Sequence, residues 1–250
     1  MSGAALVTGG SSGLGAALVA GLLARSYAVT CLDRDPPGVT DARLSFVATE
    51  LGDMAALAGV AERLNGTVFD VVILNAGISA VGAFEDIDGA HLQRVIDVNL
   101  RAPIELTRQL LSAGAVAPTG SLIFVASLSN RLGYPGAAVY AASKQGLEAF
   151  ARSLRPGRGQ SVLCVLPGPL DTPHASRYAP AGGKARTRMA PERLAERVLS
   201  RLGQSGTLYA SGAQRLAALA GRLLPEVMTG LMRRALFDRL RQAPPVVDRD

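Results

Sequence analysis

The sequence is poor in the residues that build metal sites and disulfides. It contains two cysteines, Cys31 and Cys164, and two histidines, His91 and His174. Both cysteines lie in apolar stretches, and neither belongs to a Cys-x-x-Cys pair. We therefore expect buried, reduced thiols in a cytoplasmic protein, and we predict no metal site.

Long apolar runs are also lacking. No run reaches the roughly 18 residues that a membrane-spanning helix needs, so none is predicted. The amino terminus, MSGAALVTGG, carries no basic segment and enters a strand pattern at once, which argues against a secretory signal.

Positive charge is plentiful but scattered. Lysine and arginine number 26 against 20 acidic residues, for a net charge of +6. No basic stripe interleaved with aromatic residues accompanies the arginines, so we predict no nucleic-acid partner. An anionic dinucleotide or a solvated basic surface accounts for the charge.

Short β-rich runs alternate with segments of helical spacing along the chain. This alternation predicts an α/β fold, a Rossmann-type doubly wound parallel sheet forming one dinucleotide-binding and catalytic domain over residues 1–250. The predicted strands are Ala4–Thr8, Ala28–Leu32, Leu44–Ala48, Val68–Leu74, Ser121–Ala126, Ser161–Val165 and Thr207–Ala210. The predicted helices are Gly15–Arg25, Met54–Leu64, His91–Leu111, Val139–Leu154 and Pro191–Leu202.

A basic amphipathic segment, residues 213–241, follows the last predicted strand and is interrupted near Pro225. One interpretation is a helix pair packed over a substrate cleft or at a subunit interface. The other is an interfacial helix on anionic lipid or on a partner. The tail over residues 244–250 is expected to be frayed.

The first predicted strand runs directly into TGGSSGLG, where Gly9, Gly13 and Gly15 allow a sharp turn and close approach of a pyrophosphate. A glycine-rich turn is weak evidence alone, because many strand-to-helix turns need glycine for geometry.

Asp33 ends the next strand, 20 residues after Gly13, where a carboxylate accepts hydrogen bonds from ribose hydroxyls and repels a 2′-phosphate. The adjacent Arg34 could attract that phosphate. Asp33 stands directly at the strand end, before Arg34, and the glycine turn contains serines and no basic side chain. NAD is therefore favoured over NADP.

The chain has only two lysines, and one of them stands in YAASK, four residues after Tyr140. Residues at i and i+4 share a helix face, so Tyr140 and Lys144 are neighbours. Lowering a tyrosine pKa by about three units takes roughly 4 kcal/mol, whereas an exposed i,i+4 pair contributes about 0.2–0.5 kcal/mol. The pair is therefore either an exposed surface pair or part of a desolvated pocket with a second positive charge.

Six motifs in order resemble the short-chain dehydrogenase/reductase family over about residues 1–210. They are TGGSSGLG, LNAG at 74–77, DVNL at 97–100, a serine at 127, YAASK at 140–144 and PGPLDT at 167–172.

The resemblance implies a role for each matching residue. Tyr140 resembles the family's general acid–base, Lys144 its pKa-lowering and ribose-binding partner, and Ser127 the group that binds the substrate oxygen. Asn99 would lie in a helix kink and hold a water in a proton relay. The implied cofactor contacts are Gly9, Ser11, Ser12, Gly13, Leu14, Gly15, Asp33, Arg34, Glu50, Leu51, Asn75, Ala76, Gly77, Tyr140, Lys144, Pro167, Gly168, Leu170 and Thr172.

Several positions depart from the family pattern. Leu74 replaces an asparagine, and Glu50 stands where an aspartate usually meets the adenine amine. The segment after Phe150, which often forms the subunit interface, is short. Ser129 competes with Ser127 but lies too close in sequence to Tyr140, so it is interpreted as a loop residue.

The resemblance implies an NAD-dependent enzyme that interconverts a secondary alcohol and a ketone, acts on a fairly apolar small molecule and forms a homodimer or homotetramer. An NADPH-dependent ketone reductase is the first alternative. A non-catalytic dinucleotide-binding scaffold at a membrane surface is the second.

Overall fold

The structure is a computed structural model, and it describes residues 3–64, 66–132, 134–154, 159–178, 188–234 and 245–247. Seven parallel strands form its main sheet in the order β3-β2-β1-β4-β6-β7-β8. These strands are β1 Ala4–Thr8, β2 Ala28–Asp33, β3 Leu44–Ala48, β4 Phe69–Leu74, β6 Val116–Val125, β7 Ser161–Leu166 and β8 Gly206–Tyr209. The short strands β5 Ala80–Val81 and β9 Val246–Val247 form a separate antiparallel pair.

The sheet confirms the predicted doubly wound architecture. All seven predicted strands belong to it; the largest change is in β6, which begins at Val116 instead of Ser121. The chain runs from β1 outward to β3 and then returns to place β4 beside β1. This reversal opens a crevice at the carboxyl ends of β1 and β4, where open α/β sheets bind their ligands.

Helices cover both faces of the sheet, and alternate strand residues supply the two cores. Leu6 belongs to the core that packs against α5 and α7, whereas its neighbour Val7 belongs to the core that packs against α1 and α9. The helices are α1 Gly13–Ala24, α2 Met54–Leu57, α3 Val60–Arg63, α4 Gly89–Ile96, α5 Ala102–Ser112, α6 Ser129–Leu132, α7 Ala138–Leu154, α8 Pro173–Arg177, α9 Pro191–Leu199, α10 Gly212–Leu223 and α11 Pro225–Met232.

Two predicted helices are interrupted in the structure. Gly59 has a φ of 72° and ends the Met54–Leu64 helix after α2, so that α3 begins separately. The predicted His91–Leu111 helix contains a π-helical turn at Asp97–Arg101 between α4 and α5. Such a turn bulges a helix outward and commonly marks a functional position.

The carboxyl-terminal region forms two helices, α10 and α11, which meet at Leu224 and Pro225, close to the predicted interruption. The predicted segment 213–241 continues into residues 235–241, which lie outside the described part of the chain. Within the tail that was expected to be frayed, Val246 and Val247 pair with Val81 and Ala80. Residues 244 and 248–250 lie outside the described part of the chain, so the expectation of a frayed tail stays a prediction.

Candidate active site

A cavity of about 840 Å³ lies at the carboxyl ends of the central strands. This volume is within the range of ligand sites in proteins. Its lining includes all but two of the site residues predicted from the sequence; Gly15 and Asn99 lie behind the wall. The predicted residues that line it are Gly9, Ser11, Ser12, Gly13, Leu14, Asp33, Arg34, Glu50, Leu51, Asn75, Ala76, Gly77, Ser127, Tyr140, Lys144, Pro167, Gly168, Leu170 and Thr172.

The glycine turn after β1 has the backbone geometry of a phosphate cradle. Gly9 and Gly13 have positive φ angles of 66° and 51°, which disfavour other residues. A Cβ on Gly15 would lie 1.8 Å from the carbonyl oxygen of Gly9, so this position supports the turn from behind. Ser12 precedes α1 without a side-chain hydrogen bond to its first turn. The turn therefore presents a helix amino terminus to the cavity, where an anion is stabilised.

Asp33 is held at the end of β2 by two backbone amides. Its carboxylate accepts hydrogen bonds from Ser11 N at 2.9 Å and from Arg34 N at 2.7 Å. Arg34 Nε lies 3.4 Å from Asp35 Oδ2, and the Arg34 side chain is about half exposed. A carboxylate is therefore fixed beside the glycine turn, while the neighbouring guanidinium is directed to another acid.

Glu50 and Leu51 line the cavity beyond β3. The Glu50 carboxylate accepts hydrogen bonds from Gly52 N at 3.0 Å and from Arg94 Nη2 at 3.3 Å. Arg94 was not singled out in the sequence, because it precedes the DVNL motif and only the fold brings α4 to the end of β3. The negative charge expected at this adenine-proximal position is thus partly offset by an arginine.

The residues that follow β4 are hydrogen-bonded to the end of β1. The Asn75 amide donates hydrogen bonds to the carbonyl oxygens of Thr8 at 3.2 Å and Gly9 at 3.0 Å. The Thr8 hydroxyl accepts from the backbone amides of Asn75 and Ala76 at 3.0 and 3.1 Å. These bonds hold the two sides of the crevice at a set separation.

Asn99 lies in the π-helical turn and is fully buried. Its Oδ1 accepts from Ile78 N, and its Nδ2 donates to Ile78 O, both at 2.9 Å. Nδ2 also donates to the Ser143 hydroxyl at 3.1 Å. The side chain therefore joins the turn to the segment after β4 and to helix α7.

Lys144 reaches the cavity from α7 and is almost entirely buried. Its ammonium donates to the Val125 carbonyl oxygen at 2.9 Å. Burial lowers the pKa of Lys144 from 10.5 to about 8. Gly77 is packed against it, since a Cβ there would lie 2.9 Å from Lys144 Nζ.

Tyr140 and Ser127 share one wall of the cavity with Lys144. Burial raises the pKa of Tyr140, and a hydrogen bond with the Ser127 hydroxyl opposes that rise. Burial shifts the pKa of each group toward its neutral form, but with a pKa of about 8 Lys144 stays mostly protonated at neutral pH. Its charge, and any further positive charge brought into the cavity, favours the Tyr140 phenolate.

Ser129, interpreted from the sequence as a loop residue, contacts Ser127 directly. Ser127 Oγ accepts from Ser129 Oγ at 2.8 Å and from Ser129 N at 3.2 Å. With its lone pairs engaged, the Ser127 hydroxyl is left to donate its proton into the cavity. The sequence offered one indication of this contact, since Ser129 follows Ser127 by two positions just after the buried strand β6.

The segment after β7 covers the opposite side. Thr172 caps α8 by accepting from Ala175 N at 3.1 Å, and its methyl carbon lies 3.2 Å from the position of a Cβ on Gly13. Gly168 is packed against α10, since a Cβ there would lie 2.2 Å from Gln214 Nε2. Residues 179–187, which follow α8, lie outside the described part of the chain.

Neither a metal site nor a membrane span is found in the part of the chain that the structure describes. In that part, no three histidine, cysteine, aspartate or glutamate side chains cluster as ligands. No described helix combines the length and the apolar character needed to cross a bilayer. Both cysteines are buried, as the sequence indicated.

The cradle, the carboxylate at the end of β2 and the tyrosine–lysine wall define a dinucleotide-binding protein of the α/β class. The family model for short chain dehydrogenase matches residues 3–181. The chain belongs to the short-chain dehydrogenase/reductase family, whose members are NAD(P)-binding oxidoreductases.

Curated relatives are about a third identical to this chain over the segments that match. Ketoacyl reductase HetN of Nostoc sp. is 31% identical over 65% of this chain, and the match spans 62% of that relative, less than two thirds of its length. The 2-dehydro-3-deoxy-L-rhamnonate dehydrogenase (NAD(+)) of Sphingomonas sp. is 31% identical over 68% of this chain and 72% of its own.

Solved structures share the fold. A short chain dehydrogenase from Burkholderia cenocepacia in complex with NADP superposes with a TM-score of 0.78. It is 24% identical and covers 92% of this chain and 97% of its own. At this sequence identity, the structural similarity supports the shared fold and nothing more.

Proposed function

We propose that this protein is an NAD(H)-dependent oxidoreductase that interconverts a secondary alcohol and a ketone, with Tyr140 as the general acid–base. The observation that carries the proposal is the cavity wall on which Ser127, Tyr140 and Lys144 meet. The same cavity is lined by a glycine turn suited to a pyrophosphate.

The residues divide the chemistry between them. In alcohol oxidation, the Tyr140 phenolate removes the hydroxyl proton while the Ser127 hydroxyl donates a hydrogen bond to the same oxygen. In ketone reduction, Ser127 polarises the carbonyl and Tyr140 returns the proton. The dinucleotide, when bound, supplies the hydride acceptor or donor and, in its oxidised form, a positive charge.

Lys144 stabilises the ionised tyrosine and donates to the cofactor ribose in this proposal. A lysine suits the position because its ammonium is a compact charge that fits between Gly77 and the Val125 carbonyl, where a planar guanidinium is too wide. Asn99 is a positioning residue, since its side chain is committed to Ile78 and Ser143. The relay water that the family resemblance implies for Asn99 stays a prediction.

The acid–base proposal is tested with Tyr140→Phe, which removes the phenolic oxygen and keeps the ring. We expect turnover to fall by at least a thousandfold while the melting-temperature shift on NADH binding is retained. Ser127→Ala is the matched variant: it keeps the base and is expected to lower turnover less. Retention of activity in Tyr140→Phe would contradict the proposal.

NAD is the proposed cofactor because the Asp33 carboxylate is fixed by two amides at the ribose end, while Arg34 is paired with Asp35. We expect NAD(H) to be preferred over NADP(H), and Asp33→Ser to reduce that preference. Arg34→Ala should leave the use of NAD unchanged. The alternative, an NADPH-dependent ketone reductase, predicts a preference for NADPH that Arg34→Ala abolishes, so the ratio of kcat/KM values distinguishes the two.

The substrate is proposed to have an apolar body. Leu128, Leu132, Tyr134, Tyr178 and Met232 line the far end of the cavity. His174, Arg177 and Arg188 also reach it, so a panel of alcohols must include acidic substrates beside aliphatic, aromatic and steroid-like ones. The relatives' names, a ketoacyl reductase and a sugar-acid dehydrogenase, support including those two classes.

The assembly proposed for the protein is a homodimer or homotetramer, the state that the family resemblance implies. Sedimentation velocity over a range of protein concentrations measures it directly. A monomer at all concentrations contradicts this part of the proposal and leaves the catalytic part standing.

A further inference from the structure

Helix α10 packs with its small residues inward and its leucines outward. Ala218 and Gly221 are buried, whereas Leu216, Leu219 and Leu223 are 69%, 51% and 68% exposed. A Cβ on Gly221 would lie 1.9 Å from the carbonyl oxygen of Arg131 in α6. This close backbone approach determines which face of α10 points outward, and it reverses the usual amphipathic arrangement.

Helix α11 also exposes large apolar side chains. Leu224, Val227 and Leu231 are each more than half exposed, while Met232 lines the cavity. One side of α11 therefore borders the cavity and the other borders solvent. The C-terminal apolar face is defined as Leu216, Leu219, Leu223, Leu224, Val227 and Leu231.

Positive charge flanks the C-terminal apolar face. Arg215, Arg222, Arg233 and Arg234 are all exposed, and Glu226 is the single acidic residue between 212 and 234. At 100° per residue, Arg215 and Arg222 lie on α10 beside its row of leucines. An apolar row with adjacent basic residues is typical of helices that lie at the surface of anionic membranes.

Charge favours lipid over a second copy of the chain as the occupant of this face. A symmetric dimer brings the same patch from both subunits together, which places the arginines of one against those of the other. Anionic headgroups instead neutralise them while the leucines enter the boundary with the acyl chains. We propose that the C-terminal apolar face docks this protein on an anionic membrane surface.

Docking has a consequence for the cavity, because α11 forms part of its wall through Met232. The cavity then lies next to the bilayer, which is a source of apolar alcohols and ketones. This consequence rests on the proposed function, whereas the docking itself does not.

The test is sedimentation of the full-length protein with vesicles of phosphatidylcholine alone and of phosphatidylcholine mixed with phosphatidylserine. The variant Leu216→Gln/Leu219→Gln/Leu223→Gln removes the apolar row of α10. A second variant, Arg215→Gln/Arg222→Gln, removes charge only. The matched control is Val39→Gln/Val68→Gln, because both valines are 51% exposed and lie elsewhere. Thermal unfolding with and without NADH checks that each variant is folded.

We expect binding to the mixed vesicles that weakens with added salt. Binding should fall at least tenfold in the triple leucine variant. It should fall roughly 25-fold in the arginine variant, since each of the two arginines strengthens binding by about fivefold. The control should bind like the unmodified protein. The proposal is overturned by failure to bind either vesicle, by undiminished binding of the triple variant, or by binding that is indifferent to lipid charge. It is also overturned if sedimentation velocity shows self-association that the triple variant abolishes, because the face is then a subunit interface.

Discussion

Replacement of Lys144 by methionine is expected to make the folded protein more stable at neutral pH while it abolishes turnover. Burial lowers the pKa of this lysine from 10.5 to about 8. A difference of this size corresponds to about 3 kcal/mol by which the buried charge destabilises the folded state at pH 7. Methionine has a similar length and carries no charge, so it removes this term.

One loss opposes that gain. The variant lacks the hydrogen bond from Lys144 Nζ to the Val125 carbonyl oxygen, and an unsatisfied buried group costs about 1–3 kcal/mol. The net expectation is a gain of up to about 2 kcal/mol at pH 7. For a chain of this size, that raises the melting temperature by up to about 6 °C.

The dependence on pH identifies the cause. Below the folded pKa of about 8, both states hold the proton and the full destabilisation is present. Between about 8 and 10.5 the unfolded chain binds more protons than the folded one, so the stability of the unmodified protein rises with pH. The advantage of Lys144→Met should therefore shrink over this window and reverse above it.

Chemical denaturation of both proteins at pH 7 and near pH 10, followed by circular dichroism, measures this difference. Lys144→Arg is the control, because arginine stays charged throughout the range and should show no such gain at either pH. The reasoning is refuted if Lys144→Met is the less stable protein at pH 7, or if the difference between the two proteins does not change with pH.

Three further predictions concern the site and its support. Ser129→Ala should lower kcat about fivefold with little change in the melting temperature, because it removes the hydrogen bond that orients Ser127; steady-state kinetics at saturating cofactor would show this. Gly15→Ala should abolish cofactor binding measured by NADH fluorescence, since its Cβ would overlap the Gly9 carbonyl, and unchanged affinity would contradict the role given to the turn. Glu148→Ala should destabilise the protein in urea denaturation, because it leaves the partly buried Arg131 of the ion pair between α6 and α7 without this charge partner.

The positions of strands and the order of the motifs could be predicted because each depends on local pattern. Apolar β-rich runs predicted all seven strands of the sheet, and the glycine turn and YAASK could be recognised from spacing alone. The break at Gly59 was not predicted. A helix kink at Asn99 was implied by the family resemblance, but its form, a π-helical turn at Asp97–Arg101, was not. The first depends on a single backbone angle, and the second on contacts of Asn99 with residues distant in the sequence.

The residues missed at the site are those that reach it from other elements. Arg94 approaches Glu50 from α4, and Met232 reaches the cavity from α11. The hydrogen bond of Ser129 to Ser127 could not be predicted, because the sequence distance from Ser129 to Tyr140 says nothing about it. The pairing of Val246 with Val81 likewise joins segments more than 160 residues apart.

From the sequence by itself one could predict the doubly wound class, the glycine turn and Tyr140 and Lys144 as candidate site residues, since these follow from residue type and short-range spacing. Only the tertiary structure decided which groups surround Lys144 and which face of α10 points outward. Burial, which lowers the lysine pKa, and the contact of Gly221 with α6 are both properties of packing between distant segments. Periodicity could identify an amphipathic helix here, but it could not show that the leucines lie on the outside.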